Sequence, residues 1–400
     1  MDLLEPVVQP YAWGSREAIA ELQGRPVPSP GPEAELWMGA HPSAPSGVER
    51  GGQHATLDAV IAADEEGQLG PQVAARFGGR LPFLLKVLAA SSALSIQVHP
   101  SRAQAEAGYR AETERGLAPG DKRRNYVDDW PKPEILCALT RFEVLAGMRE
   151  PVDAASLLAA LDVPALSPFA SELDDAAGQG SQVLSSVLAR VLDWPADSRP
   201  RLIGEVVAAC EQLAAGSGPY AQACAAIVRI AADHPGDLGI VASLLLRHGV
   251  LEPGQAVFLP AGGLHAYLRG TGVELLANSD NVVRAGLTGK HIDIPELLKL
   301  TDPAVHVPRL RPRDLGDGIA VYDSPAPEFR LYRASLGARE VALPGDGPRL
   351  VLVVAGTLVL RVAAGQVLKL GRGESAFLAF SDAAATAAGP AEAFIASVGD

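Results

Sequence analysis

The chain has 400 residues, of which 48% are hydrophobic and 20% charged, with a formal net charge of −13. That length suits two or three domains, and the apolar content excludes wholesale disorder. The acidic balance and the lack of a basic stripe exclude a generic nucleic-acid binder, and require that an anionic ligand meet a local cluster of cations.

Three cysteines, Cys137, Cys210 and Cys224, are too few and too apolar in setting for a disulfide framework. The N-terminal segment has no basic-then-apolar leader pattern, and no apolar run approaches the ~20 residues of a membrane span. The expectation is a cytoplasmic protein with no membrane or nucleic-acid partner.

In chain order, residues 1–149 mix Pro- and Gly-rich loops with short apolar runs, Leu81–Leu88 and Leu94–Val98. From Pro151 to about Gly249 the spacing turns helical. Helices are predicted from Asp153, as a cap, through the following Ala/Leu run, and over Gln182–Leu192, Arg201–Ala214 and Tyr220–Ala232. Beyond Leu251 short strands return. Val257–Leu259, His265–Leu268 and Val273–Ala277 read as hairpin strands with Arg269-Gly-Thr-Gly as the turn, followed by Arg349–Val354, Thr357–Val362 and Ser375–Phe380. Leu251–Leu259 and Leu370–Leu378 match at Leu, Gly, Phe and Leu with identical spacing, as a duplicated β unit would. The predicted class is mainly β with an α-helical insert: two jelly-roll units plus a helical domain. The predicted boundaries are 1–149 and 250–308 for a first unit built in two parts, 150–249 for the insert, and 309–400 for a C-terminal β unit.

The segment Leu94-Ser-Ile-Gln-Val-His-Pro alternates strictly, so Ser95, Gln97 and His99 share one strand face. In Trp130-Pro-Lys-Pro-Glu the flanking prolines disfavour helix and project Lys132 and Glu134 to the same side. His265 follows a Gly-Gly loop and opens a strand. Gln97, His99, Glu134 and His265 together form an N/O donor set that suits Zn²⁺, with Co²⁺, Mn²⁺ and Fe²⁺ as rivals. One carboxylate among neutral donors leaves the ion net positive, which favours Lewis-acid work over a structural role.

These stretches, with Tyr11-Ala-Trp-Gly-Ser, Glu35-Leu-Trp-Met-Gly-Ala-His-Pro, His265-Ala-Tyr-Leu and Ser279-Asp-Asn-Val-Val-Arg-Ala-Gly-Leu-Thr, resemble type I phosphomannose isomerases over about Tyr11 to Asp293. The resemblance implies a cupin barrel built from both sides of the insert. It implies one zinc ion on Gln97, His99, Glu134 and His265, and interconversion of mannose 6-phosphate and fructose 6-phosphate. Pro131 stands where the family often has His, and Ser101-Arg102 where it often has Asn/Asp-Lys.

Such an isomerisation needs a base at the carbon acid, stabilisation of the enediolate oxygen and a carrier for the hydroxyl proton. Candidate bases are Glu274, Lys132 and Asp280. The resemblance places Glu274, Tyr267 and Arg284 at the active site. Arg284 and Lys86 are the cations considered for phosphate or enediolate. Ser95, Trp13 and Trp37 are candidates for the sugar pocket. The substrate is then a small sugar phosphate, handled by a monomer. The competing readings are another cupin metalloenzyme, such as an Fe²⁺ dioxygenase, and a non-catalytic sugar-phosphate sensor.

Overall fold

The computed structural model describes residues 1–118, 120–121, 123–178, 180–290, 292–382 and 384–400. Among these, the strands form two large, mainly antiparallel sheet systems, and six helices pack as a block between the two parts of the first. Among the described residues no helix is long and apolar enough to cross a membrane.

The centre of the first system is one 13-residue strand, His265–Ala277. The predicted hairpin is therefore corrected: Arg269-Gly-Thr-Gly does not reverse the chain. It bends the strand round a corner of the barrel, so its first part pairs with Phe142–Met148 and its second with Phe83–Ala90 and Glu134–Ala138. Glycine is required there. Gly270 has φ +132°, and a Cβ on it would lie 2.8 Å from Arg141 O; one on Gly272 would lie 2.9 Å from Cys137 O. Arg349–Arg361 is likewise a single strand rather than two, bending at Gly356 with φ +75°.

The sequence repeat extends to strand pairing. Leu259 pairs with Glu134 in the first unit, and Leu378 pairs with Arg349 in the second. Gly270 and Gly389, both at positive φ, stand equally far along the chain from Leu259 and Leu378. Where the first unit carries a buried carboxylate, the second thus carries a buried guanidinium, which donates to Asp382 O.

Helices Gln182–Leu192, Arg199–Ala214 and Ala221–Asp233 lie close to their predicted spans. Pro151–Leu161 is capped by the Glu150 position. Asp153 sits in its first turn as the ion-pair partner of Arg149, so the cap assigned to it is corrected. Ser167–Asp175 and Arg102–Glu114 were not anticipated. The latter opens with a capping box in which Ser101 and Gln104 satisfy each other's backbone N–H groups. The helical block buries its apolar stripe against Ile96, Val98, Ala266, Val283 and Ala285. This covers the outside of the sheet and turns the alternate residues, Gln97 among them, inward.

Leu36, Phe83, Ile135 and Val273 of the first system share one core with Tyr322, Phe329, Leu350, Phe377 and Phe394 of the second. Strand Asp2–Glu5 joins that seam, pairing with Ser375–Leu378 on one edge and Gly47–Arg50 on the other. Tyr322 Oη donates to Gly254 O and touches Cys137 Sγ at 3.0 Å. Phe377 is fully buried in this shared core. Phe377→Ala is expected to cost about 3–5 kcal/mol in chemical denaturation, as for a large aromatic truncated in a core.

Candidate active site

A cavity of about 730 Å³ opens on the inner face of the first β unit. Its wall includes Trp13, Lys86, Ser95, Gln97, Lys132, Glu134, Tyr267, Glu274, Asp280 and Arg284, together with Trp37. All the expected site residues except the two histidines therefore border one space. His99 and His265 lie directly behind it, buried beside Glu134.

Each histidine is fixed by its outer nitrogen. His99 Nδ1 lies 2.8 Å from Asn281 O and His265 Nδ1 lies 2.9 Å from Gly263 O. A carbonyl only accepts, so both Nδ1 atoms carry the hydrogen and both Nε2 atoms present bare lone pairs. Those lone pairs face Glu134: His99 Nε2 is 3.3 Å from Oε1 and His265 Nε2 is 3.6 Å from Oε2. His99 Nε2, His265 Nε2 and Glu134 Oε2 are buried without hydrogen-bond partners. Three convergent acceptors with no donor among them form an arrangement that suits a bound cation. Burial holds the His99 imidazole neutral, its pKa pushed down to about 4. Burial alone would raise the Glu134 carboxyl, but the charge of Lys132 Nζ, at 3.4 Å, favours its anion and the carboxyl lies well below its usual range. Among the described residues this is the one His/Cys/Asp/Glu group with metal-site geometry. Gln97 pairs in register with both His265 and Arg284, which places a neutral amide beside the trio.

Asn281 organises the approach. Its Nδ2 donates to Asp128 O and Trp130 O, its Oδ1 accepts from Val127 N and Asp128 N, and its backbone carbonyl anchors His99. One loop residue thereby ties the Trp130–Glu134 segment to His99.

Next to the trio, across the strand pair that joins Glu274 to the Glu134 strand, lies a charge sandwich. Lys86 Nζ sits 3.3 Å from Glu35 and 3.5 Å from Glu274, with the Trp37 ring 4.9 Å away. Burial disfavours the ammonium, but the two carboxylates outweigh it and raise its pKa. Burial lifts the Glu274 carboxyl to about 7, with Glu134 and Glu35 adding to the rise and Lys86 and Lys132 opposing it. Burial and Glu274 together keep the Tyr267 hydroxyl un-ionised. Asp280 lies beyond the end of the central strand, at the rim.

Five cations border the cavity, and the neighbours of each decide what it can bind. Lys86 is balanced by Glu35 and Glu274, and Lys132 lies against Glu134. Arg124 donates to Leu117 O and Tyr126 O and lies 3.7 Å from Glu112. Arg284 and Lys290 have no acidic or hydrogen-bonding side-chain partner among the described residues. Burial lowers the Arg284 pKa, and the charge of Arg284 lowers that of Lys290. Lys290 was not singled out in the sequence, nor was Glu35 given a role. The helical block adds two more wall residues. Asp233 accepts from Ala93 N, and His234 Nε2 meets Ala93 O at 2.7 Å, pinning the entry to the Gln97 strand.

A family model described as the catalytic domain of type I phosphomannose isomerase matches residues 1–151. The mannose-6-phosphate isomerase of Escherichia coli K12 is 38% identical over 359 residues, covering 88% of either chain, and that of Bos taurus is 34% identical over 382 residues, covering 89% of this chain and 87% of its own. The chain belongs to the type I phosphomannose isomerase family. Among solved structures of the family, a mannose 6-phosphate isomerase bound with zinc and yttrium superposes with a TM-score of 0.89 at 36% identity over 100% of both chains. A variant phosphomannose isomerase of Salmonella typhimurium superposes with a TM-score of 0.91 at 36% identity, over 100% of this chain and 99% of that one. The family's cupin fold is thus the fold of this chain from end to end.

Proposed function

We propose that the chain interconverts mannose 6-phosphate and fructose 6-phosphate by proton transfer through an enediol, using one zinc ion on Gln97, His99, Glu134 and His265. The observation that carries this reading is the pairing of three buried donor atoms without hydrogen-bond partners, at the back of one cavity, with two cations on its wall that lack anionic partners among the described residues. When bound, zinc supplies a Lewis acid for the sugar's carbonyl and hydroxyl oxygens.

Glu274 takes the proton from C2 of the aldose and returns it to C1; a carboxyl poised near neutrality suits a base that must also give the proton back. Lys132, beside Glu134, stabilises the negative charge that develops on the oxygens. Arg284 and Lys290 hold the phosphate, and its double charge relieves their mutual repulsion. Lys86 instead orients Glu274. Trp13 and Trp37 wall the sugar, Ser95, Asp280 and Tyr267 meet its hydroxyls, and water is excluded by the helical block. Residues 1–149 and 250–308 supply this site, 150–249 cover it, and 309–400 bind no metal. The protein works as a monomer in the cytoplasm, a reading supported by three buried free thiols.

The relatives are isomerases, so the dioxygenase and sensor readings are not kept. The test is a coupled assay that consumes fructose 6-phosphate, started with mannose 6-phosphate. Turnover is expected, with its loss in chelator and its return with zinc; a chelator-stripped chain that turns over at full rate would sink the proposal. In the same assay Arg284→Lys is expected to lower kcat/KM about a hundredfold, because a point charge does not replace a bidentate fork. An unchanged value would remove Arg284 from the site.

A further inference from the structure

His41 lies just past strand Glu35–Met38, 3% exposed, and is neither a metal donor nor a phosphate cation. Its Nδ1 accepts from the backbone N–H of Ser43 at 3.2 Å, and Ser43 Oγ lies 2.8 Å from the same atom. A backbone amide only donates. Nδ1 is therefore bare, and the single ring hydrogen of the neutral imidazole is on Nε2. Nε2 lies 3.3 Å from Asp280 Oδ1, with the Trp37 ring packed edge-on at 4.7 Å between centroids. The contact is long for a hydrogen bond, of the kind that tightens once substrate fills a site. Asp280 borders the cavity with its side chain 44% exposed, so a carboxylate with one oxygen turned to His41 has acceptor capacity left for a ligand.

We propose that His41 is a positioning residue: its Nε2–H fixes Asp280 as an ionised acceptor for a sugar hydroxyl at the cavity rim, and Ser43 locks the tautomer that allows it. A protonated imidazole would need a hydrogen on Nδ1, directed at the Ser43 N–H. His41 is thus a fixed Nε2–H donor. Other charges also reach Asp280. Burial raises its pKa, but His41 together with Lys132 and Lys86 more than offsets this, while Asp128 accepts from the Asp280 backbone N–H. This role rests on the sugar-phosphate reading of the cavity.

The test compares His41→Leu, His41→Gln and Asp280→Asn in the full-length zinc enzyme. Loss of a ground-state contact predicts that His41→Leu raises KM about tenfold with kcat within about twofold. The acid limb of kcat/KM, whose upper step belongs to Glu274, should have its lower step moved to higher pH, because Asp280 loses its donor. His41→Gln, whose amide can place a donor where Nε2 stands, should recover most of the loss. His41→Leu added to Asp280→Asn should cost nothing further. A purely structural His41 would lower thermal stability without moving the limb or sparing the double variant, and that outcome overturns the proposal. Nitrogen NMR of the wild-type chain gives a check that needs no variant: the Nε2–H tautomer supports the assignment and the Nδ1–H tautomer overturns it. A wild-type chain with no isomerase activity would overturn the function reading itself, and with it the contact between Asp280 and a sugar hydroxyl.

Discussion

Replacing His99, His265 or Glu134 by alanine is expected to empty the metal site and to lower turnover by about a thousandfold or more, at the upper end for loss of one electrostatic stabiliser. The trio has no spare donor: His99 Nε2, His265 Nε2 and Glu134 Oε2 have no hydrogen-bond partner among the described residues. With one imidazole gone, an ion keeps a carboxylate, one nitrogen and the weak Gln97 amide, too few for tight zinc binding. Loss of Glu134 is the most severe case, because it removes the site's only anion and leaves Lys132 Nζ facing the ion without its counter-charge. A graded effect is expected one layer out. Asn281→Ala keeps the backbone carbonyl that anchors His99 but cuts the side-chain bonds to Val127, Asp128 and Trp130. Zinc affinity should then fall about 10- to 100-fold, the usual scale for a group that orients a ligand. Elemental analysis after dialysis, with circular dichroism to confirm the fold, reads both effects. A His265→Ala protein that retains one zinc per chain and normal turnover would refute the assignment.

What the sequence disclosed depended on whether a signal was local. Gln97 and His99 were legible because strict alternation, Ser-Ile-Gln-Val-His, marks a strand with one polar face; burial of Ile96 and Val98 against the helical block follows the same alternation. Lys132 and Glu134 were legible from the prolines around Lys132. The central strand was misread because Gly-Thr-Gly carries the signature of a hairpin turn, while the same glycines also permit a sharp bend where another backbone passes close. Only the pairing of Arg141, Phe142 and Cys137 against Gly270 and Gly272 tells the two apart. Helix Arg102–Glu114 had a readable start in Ser101-x-x-Gln104, though its mostly polar sequence offers little apolar periodicity. Lys290, Glu35 and His41 have no local pattern at all. Lys290 matters because Arg284 lies close by, Glu35 because Lys86 lies across a strand pair, and His41 because the chain returns with Asp280. Such proximity is a product of the tertiary fold.

Glu274→Gln is expected to keep the fold and the zinc and to lower kcat by about a thousandfold, within the range for removal of a general base. The substitution is close to isosteric, and Lys86 keeps Glu35 at 3.3 Å, so the buried ammonium is not stranded. What is lost is proton affinity at the carbon acid. The environment of Glu274 sets that affinity near the optimum: burial lifts its carboxyl to about 7, and Lys86 stops it rising further. The base works only when ionised, so kcat/KM should fall on the acid side. Glu134 is one of the anions that raise Glu274, and zinc neutralises it; the acid limb of the zinc enzyme is therefore expected below pH 7. Lys86→Met should move the limb the other way, to higher pH, because it removes the cation that favours the carboxylate. The chemistry is read by running the reaction in deuterated water and following label into C1 and C2 of the sugar along with turnover. Wild-type enzyme should incorporate label through partial exchange of the proton held on Glu274, whereas the Glu274→Gln protein should show neither label nor turnover. Normal turnover with normal labelling in Glu274→Gln would transfer the base role to Lys132, whose Nζ lies against Glu134 on the strand paired with that of Glu274.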